Sequence, residues 1–154
     1  MRYVLLDDLH GESYMSFLKI AFNYSDYFSI STFKSVHKKD LKETYFDFLN
    51  KVAPYKTTHD FIDLPQHYER GQKITIYRLN DDTKSAIIQA ANGLYDWSIP
   101  NLPEDLSFFK RNKVWFNSIT HARIAAVVNW NDTLLLQLKK FLLQQETGNA
   151  KGEM

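Results

Sequence analysis

Three groups of residues in this 154-residue chain are of types that could do chemistry. The first is Asp7-Asp8-Leu9-His10-Gly11-Glu12, three carboxylates and an imidazole within six residues. Such a set just past a strand could hold Mg²⁺ or Mn²⁺, or position a catalytic water. Adjacent residues, however, rarely all face one centre, and Asp7, Asp8 and His10 match no known metal-ligand spacing. The ordinary reading is a solvated turn whose acids sit favourably at the positive N-terminal end of the next helix.

The second group is Glu104, Asp105 and His121. A carboxylate that fixes the tautomer of a histidine makes a workable general base, so this set would suit a hydrolase or nuclease. Ser107, Ser118 and Thr120 lie nearby in sequence, but none sits in the glycine-flanked elbow that exposes a nucleophile. In the ordinary reading Asp105 caps a turn and His121 is a half-buried turn residue.

Aromatic residues form the third group. They make up 15% of the chain, and Tyr95, Trp97, Trp115 and Trp130 gather in its last part. Exposed Trp and Tyr anchor protein partners, because they offer large area at little rotamer cost. By strand parity Trp130 belongs with Ile124 and Val128 in the core. Trp115 has the opposite parity to Val114 and Phe116, and Trp97 beside the prolines is the first to test for exposure. Lys110-Arg111-Asn112-Lys113 and Lys38-Lys39 are small basic clusters; a phosphate role is open to them, though charged turns also simply keep hairpins soluble.

Other chemistries are excluded. The chain has no cysteine, hence no disulfide, cysteine nucleophile, thiolate zinc site or iron–sulfur cluster. It contains no GxxxxGK[ST], GxGxxG, HExxH or GxSxG motif. The histidines at 10, 37, 59, 67 and 121 never fall three or four apart, so no helical histidine pair can bind a metal. No cofactor is implied. The 19 basic and 18 acidic residues are nearly balanced, which ranks nucleic acid last among partners, since counterion release needs several cations on one face. The apolar run before Asp7 is too short for a signal peptide or a membrane span, so the expected location is cytoplasmic.

The elements that must position these groups follow from periodicity. Arg2 to Leu6 reads as a strand, and Ser13 to Phe22 as a helix with Tyr14, Phe17, Leu18 and Ala21 on one face. Tyr27 to Phe33 alternates as a strand. A helix follows, opened by Asp40 and Glu43 in a capping-box arrangement and stopped by Pro54. The stretch 55–71 is poorly patterned and either functional or hides a short helix. Lys73 to Leu79 reads as a strand, and Thr83 to Ala91 as a helix closed by a left-handed Asn92-Gly93. Pro100 and Pro103 imply an extended path before a meander of three strands, Leu106 to Phe109, Val114 to Ile119 and Ile124 to Trp130. Thr133 to Gln145, capped by Asn131 or Asp132, is the last helix.

The order βα, βα, βα, βββ, α has final connections too short for crossovers, so those strands must be antiparallel. The expectation is an α+β fold: a mainly antiparallel sheet packed against about four helices. One domain spans 1–146, with a tail at 147–154. With 44% hydrophobic and 24% charged residues, folding can bury roughly 70% of the chain's surface, enough for one core without staples. The function expected is a small non-enzymatic protein-binding module, of the inhibitor, immunity or antitoxin kind or a complex subunit. Its partner would meet an aromatic and acidic surface of Tyr95, Trp97, Glu104, Asp105, Trp115 and His121. The alternative is a hydrolase or nuclease using His121 with Glu104 or Asp105, or a metal near Asp7, Asp8 and His10.

Overall fold

A computed structural model describes residues 3–57 and 71–143. The elements are β1 (Val4–Leu5), α1 (Glu12–Tyr24), β2 (Tyr27–Phe33), α2 (Glu43–Val52), β3 (Gln72–Arg78), α3 (Asp81–Ala90), β4 (Glu104–Lys110), β5 (Lys113–Ile119), β6 (Ile124–Val127) and α4 (Asp132–Leu138), with single 3₁₀ turns between several of them. The six strands form one sheet in the order β1-β6-β5-β4-β2-β3, and each neighbouring pair is antiparallel. The α+β architecture and the β4-β5-β6 meander are therefore as the periodicity requires.

The register places alternate residues of the central strands against the helices. Phe28 and Ile30 of β2, Leu106 and Phe108 of β4 and Phe116 of β5 share one buried cluster with Tyr14, Phe17, Leu18, Ala21, Phe48, Ile87, Leu134 and Leu138. All four helices thus cover the same sheet face. Phe109, Val114 and Val128 form a smaller cluster with Tyr27 and Ile76, on the opposite face.

Two bulges break this alternation. Between β4 and β5, Phe108 pairs with Phe116 and Phe109 with Val114, which leaves Trp115 as the extra residue. An unpaired bulge residue is free to turn its side chain against the parity of its strand. Trp115 accordingly lies in the main cluster, fully buried, with its ring centroid 6.2 Å from those of both Phe17 and Phe108. Its Nε1 donates to Ser25 Oγ at 2.7 Å. The second bulge lies where Ser29 pairs with Ser107 but Ser31 with Glu104. Here Asp105 takes a left-handed φ of 60°.

Several boundaries differ from the periodic reading for local reasons. Helix α2 starts at Glu43 without a side-chain cap; Asp40 ends a 3₁₀ turn instead, and the helix entry is held by Lys42 N–H donating to Pro100 O. The reciprocal cap occurs on α3, where Asn80 Oδ1 accepts from Thr83 N–H and Thr83 Oγ1 from Asn80 N–H. Gly93 is extended, not left-handed, with φ −168°. It is needed because a Cβ there would lie 3.1 Å from Leu9 O and His10 Cβ, where the backbone bridges to His10. Strand β6 stops at Val127, before the left-handed Asn129 with φ 49°. Trp130 packs only partly against the core. Helix α4 is capped by Asn131 Oδ1, which accepts from Leu134 N–H at 2.8 Å, and gives way to a 3₁₀ turn at Lys139. The poorly patterned stretch from 58 to 70, the strand start at Arg2, the helix end at Gln145 and the tail at 147–154 lie outside the described residues. Among those described, no helix is long and apolar enough to cross a membrane.

The aromatic core carries a pH signature. Burial pushes the Tyr14 phenol well above its ordinary range, and burial together with Tyr45 pushes Tyr77 up to about 12. The unfolded chain ionises these groups near pH 10 while the native chain keeps them protonated. Stability is therefore complete below pH 10 and falls as pH rises beyond it, by roughly 1.4 kcal/mol per pH unit for each group held neutral. Absorbance at phenolate wavelengths should show Tyr14 and Tyr77 ionising only with loss of near-ultraviolet circular dichroism. Ionisation with the native signal intact would refute their burial.

Candidate functional site

The chain between α3 and β4 meets the turn after β5 at one end of the sheet. It runs through a 3₁₀ turn at Leu94–Asp96 and then folds back on itself: Asn101 and Leu102 N–H both donate to Ser98 O. The stretch around Pro100 is therefore a turn, not the extended path that the two prolines imply.

Glu104 and Asp105 enter β4 beneath this turn, exposed by only 7% and 5%. Asp105 Oδ1 accepts from Thr120 N–H at 2.8 Å, Asp105 N–H donates to Thr120 Oγ1 at 3.1 Å, and Thr120 Oγ1 donates to Trp97 O at 2.7 Å. Asp105 thus ties the β5–β6 turn to the loop before β4. Glu104 Oε2 accepts from Ile99 N–H and Ser98 Oγ, each at 3.3 Å. Burial raises the Glu104 carboxyl above the ordinary carboxylate range, the Ile99 N–H opposes this, Asp105 adds to it, and Ser98 and His121 lower it again. Sequence reasoning brings the right partners together here, since His121 lies within electrostatic reach of Glu104. One oxygen of each, Glu104 Oε2 and Asp105 Oδ1, nonetheless accepts from a backbone amide.

Because the Glu104 pKa is raised, the unfolded chain loses this proton at lower pH than the native chain. Stability contributed by Glu104 is present below the ordinary carboxylate range and declines as pH rises through the raised value. Glu104→Gln, which keeps an acceptor for Ile99 N–H, should flatten that decline without lowering stability at pH 7. Urea midpoints at pH 4 and pH 7 for both proteins check this; an unchanged pH slope would exclude Glu104 as its source.

The contact surface expected from the aromatic residues does not form as a unit. Trp97 is fully buried, its Nε1 donating to Tyr14 Oη at 3.0 Å and its ring edge-on to Phe48. Trp115 is equally buried and lies toward the other end of β4 and β5, against Ser25. Neither indole can be presented to a partner. Tyr95 and His121 do reach the surface, Tyr95 half-buried and His121 exposed. The Arg123 guanidinium stacks over the Tyr95 ring at 4.6 Å and pairs with Asp8 Oδ2 at 2.6 Å. Burial first, and the Asp8 charge second, raise the Tyr95 phenol, with Arg123 opposing. Asp8 is thus joined to this region. Among the described residues no group of three or more His, Asp or Glu could hold a metal ion, so Asp7, Asp8 and His10 do not converge as a metal site.

Sequence reasoning missed a concavity of about 720 Å³ beside this network, between the end of α3, the start of α2 and the Ser98–Leu102 turn. Its polar lining is mainly amide and hydroxyl: Thr44, Gln89, Asn92, Tyr95, Ser98 and Asn101. Its only carboxylate among the described residues, Asp96, accepts from Asn92 N–H at 2.9 Å. Asn92 and Asn101 are exposed, and their side-chain amides make no hydrogen bond among the described residues. No spacing could have revealed the pocket, because its walls come from three separate segments of ordinary polar residues. No family model, no curated protein and no solved structure matches the chain.

Proposed function

We propose that the protein is a cytoplasmic, non-enzymatic binding module that grips an extended segment of a protein partner in the concavity between α3 and the Ser98–Leu102 turn. The observation that carries this reading is the pair of unengaged amides, Asn92 and Asn101, lining one cleft. Each offers a donor and an acceptor side by side, as a peptide backbone does, so a strand-like segment can satisfy both. Ile88, 41% exposed at the rim, adds an apolar contact. The cleft has the size of a ligand pocket but lacks a base and nucleophile couple among its described lining residues.

The test is site-specific photo-crosslinking in cells. A crosslinking side chain at Asn92 or Asn101 should capture one polypeptide in stoichiometric yield, whereas one at the exposed Leu136 should not. With that partner purified, Asn92→Ala or Asn101→Ala should each weaken binding about tenfold, the worth of one or two hydrogen bonds, with no change in melting temperature. Equal capture from Leu136, or none from either asparagine, rejects the reading.

A second reading, a hydrolase or nuclease, is favoured by the closeness of His121 to the buried Glu104. Under it, His121→Ala would abolish turnover of an ester or phosphodiester substrate while leaving peptide binding intact. Binding without turnover in the wild-type chain removes it.

A further inference from the structure

The far end of the β4–β5 hairpin carries a second concavity, of about 410 Å³, lined by Tyr24, Lys110, Arg111, Asn112, Lys113 and Asn129, with the fully buried Trp115 beneath it. We propose that it binds a phosphate group carried on an organic moiety of nucleotide size, either a free mononucleotide or one unit of a single-stranded nucleic acid.

Three cations fall within four residues because Lys110 and Lys113 pair across the two-residue turn that holds Arg111. None of the three forms an ion pair among the described residues. The Asp26 carboxylate accepts from the backbone N–H of Arg111 at 2.7 Å and lowers the local charge without cancelling it. Lys110 Nζ sits 5.3 Å from the Tyr24 ring centroid. The chain as a whole carries a net charge of only +1, so this turn is a local concentration of positive charge on a near-neutral protein.

The chemistry of the lining selects the ligand. A single carboxylate would occupy the Arg111 fork and leave two ammonium groups unanswered, whereas a phosphate brings up to two negative charges and several acceptor oxygens. Asn112 adds a neutral donor. A bare phosphate fills little of about 410 Å³, and the Tyr24 ring gives an attached sugar or base an apolar wall. The proposal stands on residues separate from those of the peptide cleft.

The backbone supplies a test that separates binding from folding. Arg111 holds a left-handed φ of 56°, a conformation glycine adopts without strain. Arg111→Gly therefore removes the central cation while keeping the turn, and its melting temperature should stay level or rise. Titrations with adenosine 5′-monophosphate, inorganic phosphate and a labelled single strand of about twelve nucleotides cover the possible sources, with Lys84→Glu on α3 as the charge control. We expect one of the two nucleotide ligands to bind at least about tenfold more tightly than inorganic phosphate, and Arg111→Gly and Lys113→Gln each to lose most of that affinity. The Lys84→Glu protein should behave as wild type. Binding of the mononucleotide assigns a small-molecule site; binding of the strand alone, weakening steeply with salt, assigns a phosphodiester chain. Affinity for both no better than for inorganic phosphate, or unchanged in Arg111→Gly, overturns the proposal.

Discussion

Trp97→Ala is expected to destabilise the protein by about 3–5 kcal/mol, the range for deleting a fully buried aromatic residue. The indole is wholly shielded from water, so its removal loses transfer free energy and leaves a void beside Phe48. It also takes the donor from Tyr14 Oη, a hydroxyl inside the core. With a urea slope of about 2 kcal/mol per molar, the midpoint should fall by about 2 M. A total stability of about 5–15 kcal/mol leaves little after such a loss, so poor expression of the variant is itself expected. Trp130→Ala, at the half-buried edge of the same cluster, should cost clearly less. If Trp97→Ala kept wild-type stability and lost only partner binding, Trp97 would be a contact residue after all.

The second large effect concerns Asp105, where a buried side chain and a strained backbone coincide. Asp105→Ala removes the acceptor of Thr120 N–H, an unsatisfied buried donor costing about 1–3 kcal/mol. It also places at φ 60° a residue less tolerant of the left-handed region than aspartate. The expected loss is about 2–4 kcal/mol in urea unfolding. Asp105→Asn keeps both the acceptor and the tolerance, and should recover most of it; Asp105→Gly relieves only the backbone, and should recover part. Thr120→Val keeps the N–H that Asp105 Oδ1 accepts and removes only the hydroxyl that bonds Asp105 N–H and Trp97 O, so its cost should add to that of Asp105→Ala. Wild-type stability in Asp105→Ala would show that the Asp105–Thr120 contact does not join the two loops.

The same two residues show where the sequence was legible and where it was not. Period-two runs such as Phe28–Ile30 and helical runs such as Tyr14–Phe17–Leu18–Ala21 name their own elements, and every strand and helix they imply is present. The antiparallel meander follows from connections too short to cross over. Parity fails at the bulges, because one inserted residue reverses every side-chain direction that counting assigns. Counting gives Trp115 the parity opposite to Val114 and Phe116, and the bulge sets it with Phe116 in the core. Trp97 fails for another reason: proline-flanked segments read as exposed loops, but this one folds across the end of the sheet and buries its indole. That His121 comes within electrostatic reach of Glu104 was legible because both border adjacent strand ends. The role of the two carboxylates was not, since accepting from Ile99 and Thr120 amides leaves no trace in residue type. The asparagine-lined cleft was invisible for want of any local pattern.

Strand β1 has a consequence for how the polypeptide is made. Its two residues pair with Val127 and Ala126, and the stretch is also fastened to the segment after α4, with Asp7 N–H donating to Phe141 O and Leu5 O accepting from Leu143 N–H. Nothing close to it in sequence gives it a neighbour in the sheet, so β1 stays unpaired while the more than a hundred residues between it and β6 are synthesised. Vectorial folding can complete the β2–β3 pair earlier, but the sheet gains its β1 border only once β6 has emerged.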